Sequence, residues 1–355
     1  MTYTQREEGI IIADSFVQLN YKQKKLFLAS VNTQNPERQK YTDALIKMTG
    51  EGVYNKLTGD FFDKSYRKKI LGDLDKRGVV CITIKSNDYP HALKHTPVPP
   101  LVLYTRGNLS LLNDKLFAVV GSRKITTAAK ELCRRVTEDL TGQFTIVTGV
   151  ADGGDSAAIS AALPSGKIIC VLPCGHDGKS SANTTLLKKV EKSGLTVSEY
   201  PPTVSAQRFT FLVRNRIIAG LTSGVLVVAA AERSGALNTS SYAADYGRDV
   251  FAFPYFAGIA SGSGCNRLIK NGAYLCESAN DVFEVYGMST AETAVEELDD
   301  EQKKIVNLLR EEGELHTERI AAALGKKPFE VMAICSALEI KGIVIKTAGN
   351  KYAVI

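Results

Sequence analysis

Between about residues 115 and 287 the chain alternates short apolar runs with amphipathic stretches. LFAVV (116–120) precedes a helix expected near 126–141, and TIVTG (145–149) precedes one at about 155–163. KIICVLP (167–173) is followed by TTLLKKVEKSG and then TVSEY (196–200). RNRIIAGL leads into GVLVVAAA (224–231), LNTSSYAADYG and VFAFP (250–254). Continuous Val/Ile/Leu runs are what strands buried on both faces require. Repeated strand–helix–strand order implies right-handed crossovers. The pattern therefore predicts an α/β fold with a Rossmann-like, doubly wound parallel sheet.

The flanks read differently. From about 8 to 78 the periodicity is helical, with Phe61, Phe62, Tyr66, Ile70, Leu71 and Leu74 set against Asp63, Lys64, Lys68, Lys69 and Lys76. Two Gly-containing turns in KMTGEGVYNKLTG suggest a small bundle of the sterile-alpha-motif or helix-hairpin-helix type. The β-branched residues and prolines of VVCITIKSNDYPHALKHTPVPPLVLYTRGN predict a strand and an extended connection, and the prolines around His91 and His95 argue against a helix there. MSTAETAVEELDDE, acidic and poor in apolar residues, reads as a linker. Three helical stretches and a hairpin around Gly349-Asn350 follow, the winged-helix arrangement. The expected division is a helical domain over 1–80, a Rossmann-like core with its lead-in over 81–287, a linker over 288–298 and a winged-helix-like domain over 299–355.

Composition narrows the class. The first residues lack a basic stretch followed by an apolar one, and no apolar run approaches the roughly 20 residues that span a bilayer, so a cytoplasmic, membrane-free protein is expected. Seven cysteines without a C-x-x-C pair suit a reducing compartment, and the four histidines show no metal-ligand spacing. No metal or cofactor is expected. The net charge of +6 is uneven: +6 over 1–112, +2 over 113–295 and −2 over 296–355. That is compatible with nucleic acid without requiring it.

Ligands of open α/β sheets bind beyond the carboxyl ends of the strands, so the candidates are the turns there. Gly121-Ser122-Arg123 follows LFAVV and opens a helix, offering free amides and a cation to a phosphate. It is not G-x-G-x-x-G, which disfavours a dinucleotide. Arg214-Asn215-Arg216, expected at a helix start, sets two guanidiniums around an amide. Ser234–Thr239 is a small-residue turn. The stretch 261–270 holds Ser263 and Gly264, with Asn266 and Lys270 on one helical face. Four such turns on one sheet point to a long polyanion groove. There is no G-x-S-x-G elbow, P-loop or placed carboxylate pair, so no catalytic residue is assigned; Asp152 and Asp155 are expected to cap a helix. Phe209, Phe211, Tyr255 and Phe256 could stack on bases or belong to the core.

Taken together, Gly-Ser-Arg at 121–123, TGVADGGDSAAISAAL at 148–163, SEYP at 198–201, RNRIIAGL at 214–221, SGALNT at 234–239, GRDVFAFP at 247–254 and SGSGCNRLIKNGA at 261–273 resemble the DNA-processing protein A (DprA/Smf) family. The resemblance implies binding of single-stranded DNA, with Lys179 and Asn183 as further contacts. It also implies a homodimer, loading of the recombinase RecA, and a role in natural transformation. The alternative is a nucleotide-processing hydrolase of the lysine-decarboxylase-like phosphoribohydrolase type. That type carries a Glu at the strand end where Ala229 stands. The C-terminal domain, net negative and with Lys341 as the base of its third helix, is expected to serve an accessory role rather than read duplex.

Overall fold

A computed structural model of the chain describes residues 3–180, 184–288, 298–340, 343–347 and 349–354. The expected linker lies almost wholly outside them, as do Asn183 and Lys341. The chain divides into two compact units, Met1–Val282 and Phe283–Ile355.

Five helices open the first unit: α1 (Gln5–Asp14), α2 (Tyr21–Val31), α3 (Arg38–Thr49), α4 (Glu51–Phe62) and α5 (Lys64–Lys76). Thr4 and Glu7 form a capping box at α1, and Asp63 caps α5. Phe16, Phe27, Leu45, Leu57 and Phe61 fill the space between the helices. After them come β1 (Val80–Thr83) and β2 (Val102–Gly107), paired antiparallel, with α6 (His91–Lys94) between them. The sequence argued against helix at α6. It forms because Pro90 stands just ahead of its first turn, where a missing N–H costs nothing, and because Leu93 is fully buried against Gly220.

The alternating region folds as β3 (Leu116–Gly121), α7 (Thr127–Leu140), β4 (Thr145–Thr148), α8 (Gly154–Ala162), β5 (Ile168–Leu172), α9 (Thr184–Ser193), β6 (Leu195–Ser198), α10 (Arg208–Leu221), β7 (Gly224–Ala229), α11 (Gly235–Asp245), β8 (Asp249–Ala252), α12 (Ser263–Lys270) and β9 (Tyr274–Leu275). The unit ends within α13 (Ala279–Val285). The nine strands make one sheet in the order β1-β2-β6-β5-β4-β3-β7-β8-β9. From β6 to β9 all pairings are parallel, as the apolar runs predicted. β2 runs antiparallel to β6, so the lead-in extends the sheet rather than leaving it. Strands β3 to β7 are buried along nearly their whole length, and their side chains form the main core with Ile217, Ile218 and Leu221 of α10.

The second unit contains α14 (Asp300–Glu312), β10 (Leu315–His316), α15 (Thr317–Leu324), α16 (Pro328–Ile340), β11 (Val344–Thr347) and β12 (Lys351–Val354). Its strands pair antiparallel in the order β10-β12-β11, and Ile305, Leu309, Ile320, Val331, Leu338 and Tyr352 form its own core. The hairpin turns at Gly349 and Asn350, both with positive φ. Asn tolerates this left-handed conformation better than most side chains.

Candidate nucleic-acid interface

β3 lies between β4 and β7. From β3 the chain crosses outward through β4, β5 and β6, and then returns to the other side of β3 as β7. Loops leaving the carboxyl ends of β3 and β7 therefore part in opposite directions, and a crevice opens between them. A cleft of about 790 Å³ lies there. Its walls are Gly121–Arg123 after β3, Ala151 and Asp155 after β4, Lys179 and Ser180 after β5, one face of α10, and the first turn of α11.

Close packing shapes the floor. A Cβ on Gly154 would lie 2.5 Å from the Gly121 Cα, so α8 touches the end of β3 backbone to backbone. Asp155, expected as a cap, instead ties two turns together. One oxygen accepts from the Gly121 amide at 3.3 Å and the other from the Ala151 amide at 3.2 Å, while Gly153 takes the cap position without a side-chain bond. Burial raises the Asp155 pKa, and the neighbouring Arg214 opposes that.

The arginines of α10 are not at a helix start. Gln207 and Thr210 bond reciprocally and begin the helix at Arg208, six residues earlier. Arg214 and Arg216 therefore sit mid-helix, and both are buried. Arg214 donates to the Val171 carbonyl and, at 3.1 Å, to the Asn215 side chain, while still lining the cleft. Asn215 donates to the Gly235 carbonyl at 3.2 Å. Arg216 points away from the cleft, pairing with Glu199 and donating to the Val98 carbonyl at 2.6 Å. Burial raises the Glu199 pKa, opposed by Arg216.

Starting the helix at 208 also places Arg208 and Leu212, which the sequence reading missed, beside the earlier candidates Phe211 and Asn215. Arg208, Phe211, Leu212 and Asn215 fall at helical spacing on the face turned to the cleft. The signal was present, but the assumed helix start hid the register. Arg123 is exposed, with its guanidinium 5.7 Å over the Phe211 ring; Lys179 and Arg208 are exposed as well. The stacking candidates separate. Tyr255 packs its ring on Gly262 and donates to the Val228 carbonyl at 2.7 Å. Phe209 is 57% exposed, Leu212 47% and Phe256 89%.

Residues of three of the four candidate stretches, Gly121–Arg123, Arg214 with Asn215, and Ser234–Thr239, thus share one cleft. The fourth, Ser263–Lys270, stands beyond its lining, at the end of β7. There the Gly264 amide donates to the Ala230 carbonyl at 2.8 Å, Asn266 clamps both backbone groups of Tyr255 at 3.0 and 2.8 Å, and Lys270 is exposed. Ala229, where the hydrolase type has its acid, is fully buried at the end of β7. Among the described residues no group of three or more His, Cys, Asp or Glu side chains could hold a metal ion.

Sheet and site together define a Rossmann-like α/β protein with a cation-rimmed crevice at its topological switch point. Residues 80–287 match the family model described as DNA recombination-mediator protein A, and the chain belongs to that family. It is 40% identical to the DNA processing protein DprA of Streptococcus pneumoniae over 203 residues, which is 57% of this chain and 72% of that one. It is 33% identical to DprA of Bacillus subtilis over 261 residues, 72% and 84% of the two chains. Among solved structures, the Streptococcus pneumoniae DprA aligns with a TM-score of 0.67 at 31% identity, covering 82% of this chain and all of that one. DprA of Helicobacter pylori, whose structure concerns its single-stranded DNA binding mode, aligns at a TM-score of 0.52 and 26% identity, covering 58% and 95%.

Proposed function

We propose that the cleft grips the backbone of single-stranded DNA and performs no bond-breaking chemistry. The observation that carries this is the convergence of exposed Arg123, Lys179 and Arg208 around one crevice at the carboxyl end of β3, where the Gly121 and Ser122 amides, expected to be free, are instead engaged by Asp155 and by the Ala229 carbonyl. Gly121, Ser122, Arg123, Lys179, Arg214 and Asn215 form the phosphate-facing wall in this reading, and Arg216 supports α10 from behind. Ser263, Gly264, Asn266 and Lys270 would extend the track along the sheet edge. Backbone contacts of this kind carry no sequence information. Phe209 and Phe256 stand exposed where unpaired bases could stack, at roughly 1–3 kcal/mol per base. Family membership and the single-stranded DNA mode of the Helicobacter pylori relative support the same reading.

The absence of chemistry is inferred from Asp155, the carboxylate in the lining, whose two oxygens are both engaged by backbone amides. The hydrolase alternative finds no acid at Ala229. As a member of a recombination-mediator family, the chain would pass its bound strand to RecA in the cytoplasm during transformation. None of the described helices is long and apolar enough to cross a membrane. A homodimer could form along the open edge of β9, where Tyr274 and Leu275 are each 45% exposed. The C-terminal unit, with three helices and a terminal hairpin, would act as an accessory winged helix. The test is competition for a labelled oligothymidine by unlabelled oligocytidine and by duplex of equal length. Oligocytidine should displace it and duplex should not. Equal displacement by duplex would defeat the proposal, and strong thymidine bias would mean that bases are read.

A further inference from the structure

Lys179 and Ser180 reach the cleft on a stretch without regular structure, residues 173–180, which follows β5. Its backbone is stitched to another irregular stretch, 201–206. The Gly175 amide donates to the Val204 carbonyl, the Asp177 amide to Pro202 and the Ala206 amide back to Lys179, each at 2.8 Å. A Cβ on Gly175 would lie 2.0 Å from the Pro201 oxygen, and one on Gly178 2.0 Å from the Val204 oxygen. The two stretches therefore lie against each other and shift together. Ser198 holds the near end by donating to the Cys174 carbonyl at 2.7 Å.

The Lys179 amide donates to the Ser205 hydroxyl at 3.2 Å, and the middle of the stretch is tied to the rest of the unit by a side chain. One oxygen of Asp177 accepts from Arg77 at 2.7 Å and the other from Arg106 at 2.8 Å. Arg77 directly follows α5 and is itself braced by Asp73 at 2.7 Å, whereas Arg106 lies on β2. Burial would raise the Asp177 pKa, but the two guanidiniums outweigh it and hold the carboxyl below its ordinary range. A charged carboxylate between two cations from different parts of the unit is a fixed point. Lys179, the cation offered to the cleft, is two residues away.

We propose that Asp177 is a positioning residue for Lys179, and that through Arg77 the N-terminal helices set how firmly the cleft holds a polyanion. This rests on the reading of the cleft as a single-strand site. The coupling is local and physical: one carboxylate, two guanidiniums and a short loop whose position both ends bias. Without Asp177 the loop keeps its amide bonds to 201–206 but loses its tie to α5 and β2, and Lys179 samples positions away from the phosphate.

The test is a double-mutant cycle on oligothymidine binding in the full chain, with thermal unfolding as a check on folding. Lys179→Ala is expected to weaken binding by roughly 5-fold, about 1 kcal/mol, and to lower the salt slope by about 0.7. Asp177→Asn should reproduce both changes. The double variant should bind no more weakly than Lys179→Ala alone. Arg77→Ala, which removes one of the two guanidiniums from the same tie, should shift affinity in the same direction and covers the case in which Asp177→Asn fails to fold. If wild type and Lys179→Ala behave as stated but Asp177→Asn and Arg77→Ala bind as wild type, the inference is overturned and the single-strand reading stands. Additive losses, or no loss with Lys179→Ala, overturn it as well. If wild type does not bind oligothymidine, the functional reading itself has failed.

Discussion

Replacing Arg216 by alanine is expected to destabilise the protein without removing a contact to DNA. The guanidinium side chain is 9% exposed and its partner Glu199 17%, on the side of α10 away from the cleft. Alanine would strand Glu199 in a site where burial already raises its pKa. Breaking a buried pair from one side typically costs about 3–5 kcal/mol. A second estimate agrees. The stranded carboxyl can escape by taking up a proton, which at pH 7 costs a carboxyl of ordinary pKa about 4 kcal/mol, at 1.36 kcal/mol per unit. The raised pKa lowers that figure, while the Val98 carbonyl left without its donor adds about 1–3 kcal/mol. For a unit of this size each kcal/mol moves the melting temperature by roughly 2–4 °C. The expected fall is on the order of 10 °C, followed by circular dichroism on heating. Replacing both partners, as Glu199→Met with Arg216→Met, should recover much of the loss, because no charge is then left buried alone. A melting temperature within about 2 °C of wild type for Arg216→Ala would refute the reasoning.

Arg123→Ala should behave oppositely, melting as wild type while the salt dependence of oligothymidine binding falls by about 0.7 in slope; unchanged binding would remove Arg123 from the site. Deleting residues 296–355 should leave most single-strand affinity, since those residues carry a net −2 and the second unit has its own core. A 10-fold loss, about 1.4 kcal/mol, in a folded truncation would contradict this. His176 gives a pH dependence. Burial, and then repulsion from Arg106, depress its pKa to about 4 against partial support from the Thr196 carbonyl. The unfolded chain protonates near pH 6.5 and the folded chain does not, so stability present above pH 6.5 drains away as pH falls toward 4. The loss should reach roughly 3 kcal/mol. Urea midpoints between pH 7 and 4.5 should fall less steeply for a folded His176→Gln variant.

The parallel sheet was legible because its strands are buried on both faces. LFAVV, IICVL and GVLVVAAA must then be apolar throughout, and the helices between them must be amphipathic. The position of Gly121 was legible for a related reason: it ends a strand that precedes a helix, and that order puts it at the carboxyl edge of the sheet, where the cleft lies. What the pattern could not supply was partnership. Arg214, Arg216 and Asp155 have the same composition whether they face a phosphate or each other's neighbourhood. Only the register of α10, set by the Gln207–Thr210 cap, turned Arg208 and Phe211 toward the cleft and Arg216 toward Glu199. Pairing across long sequence separations was equally hidden. Asp177 meets Arg77 from 100 residues away, and β2 joins β6 antiparallel across a stretch that reads as a connection. Periodicity is a local consequence of which face is buried, so one sequence carries it. Which charges lie beside one another depends on how those faces are stacked, and that is decided only when the chain is packed.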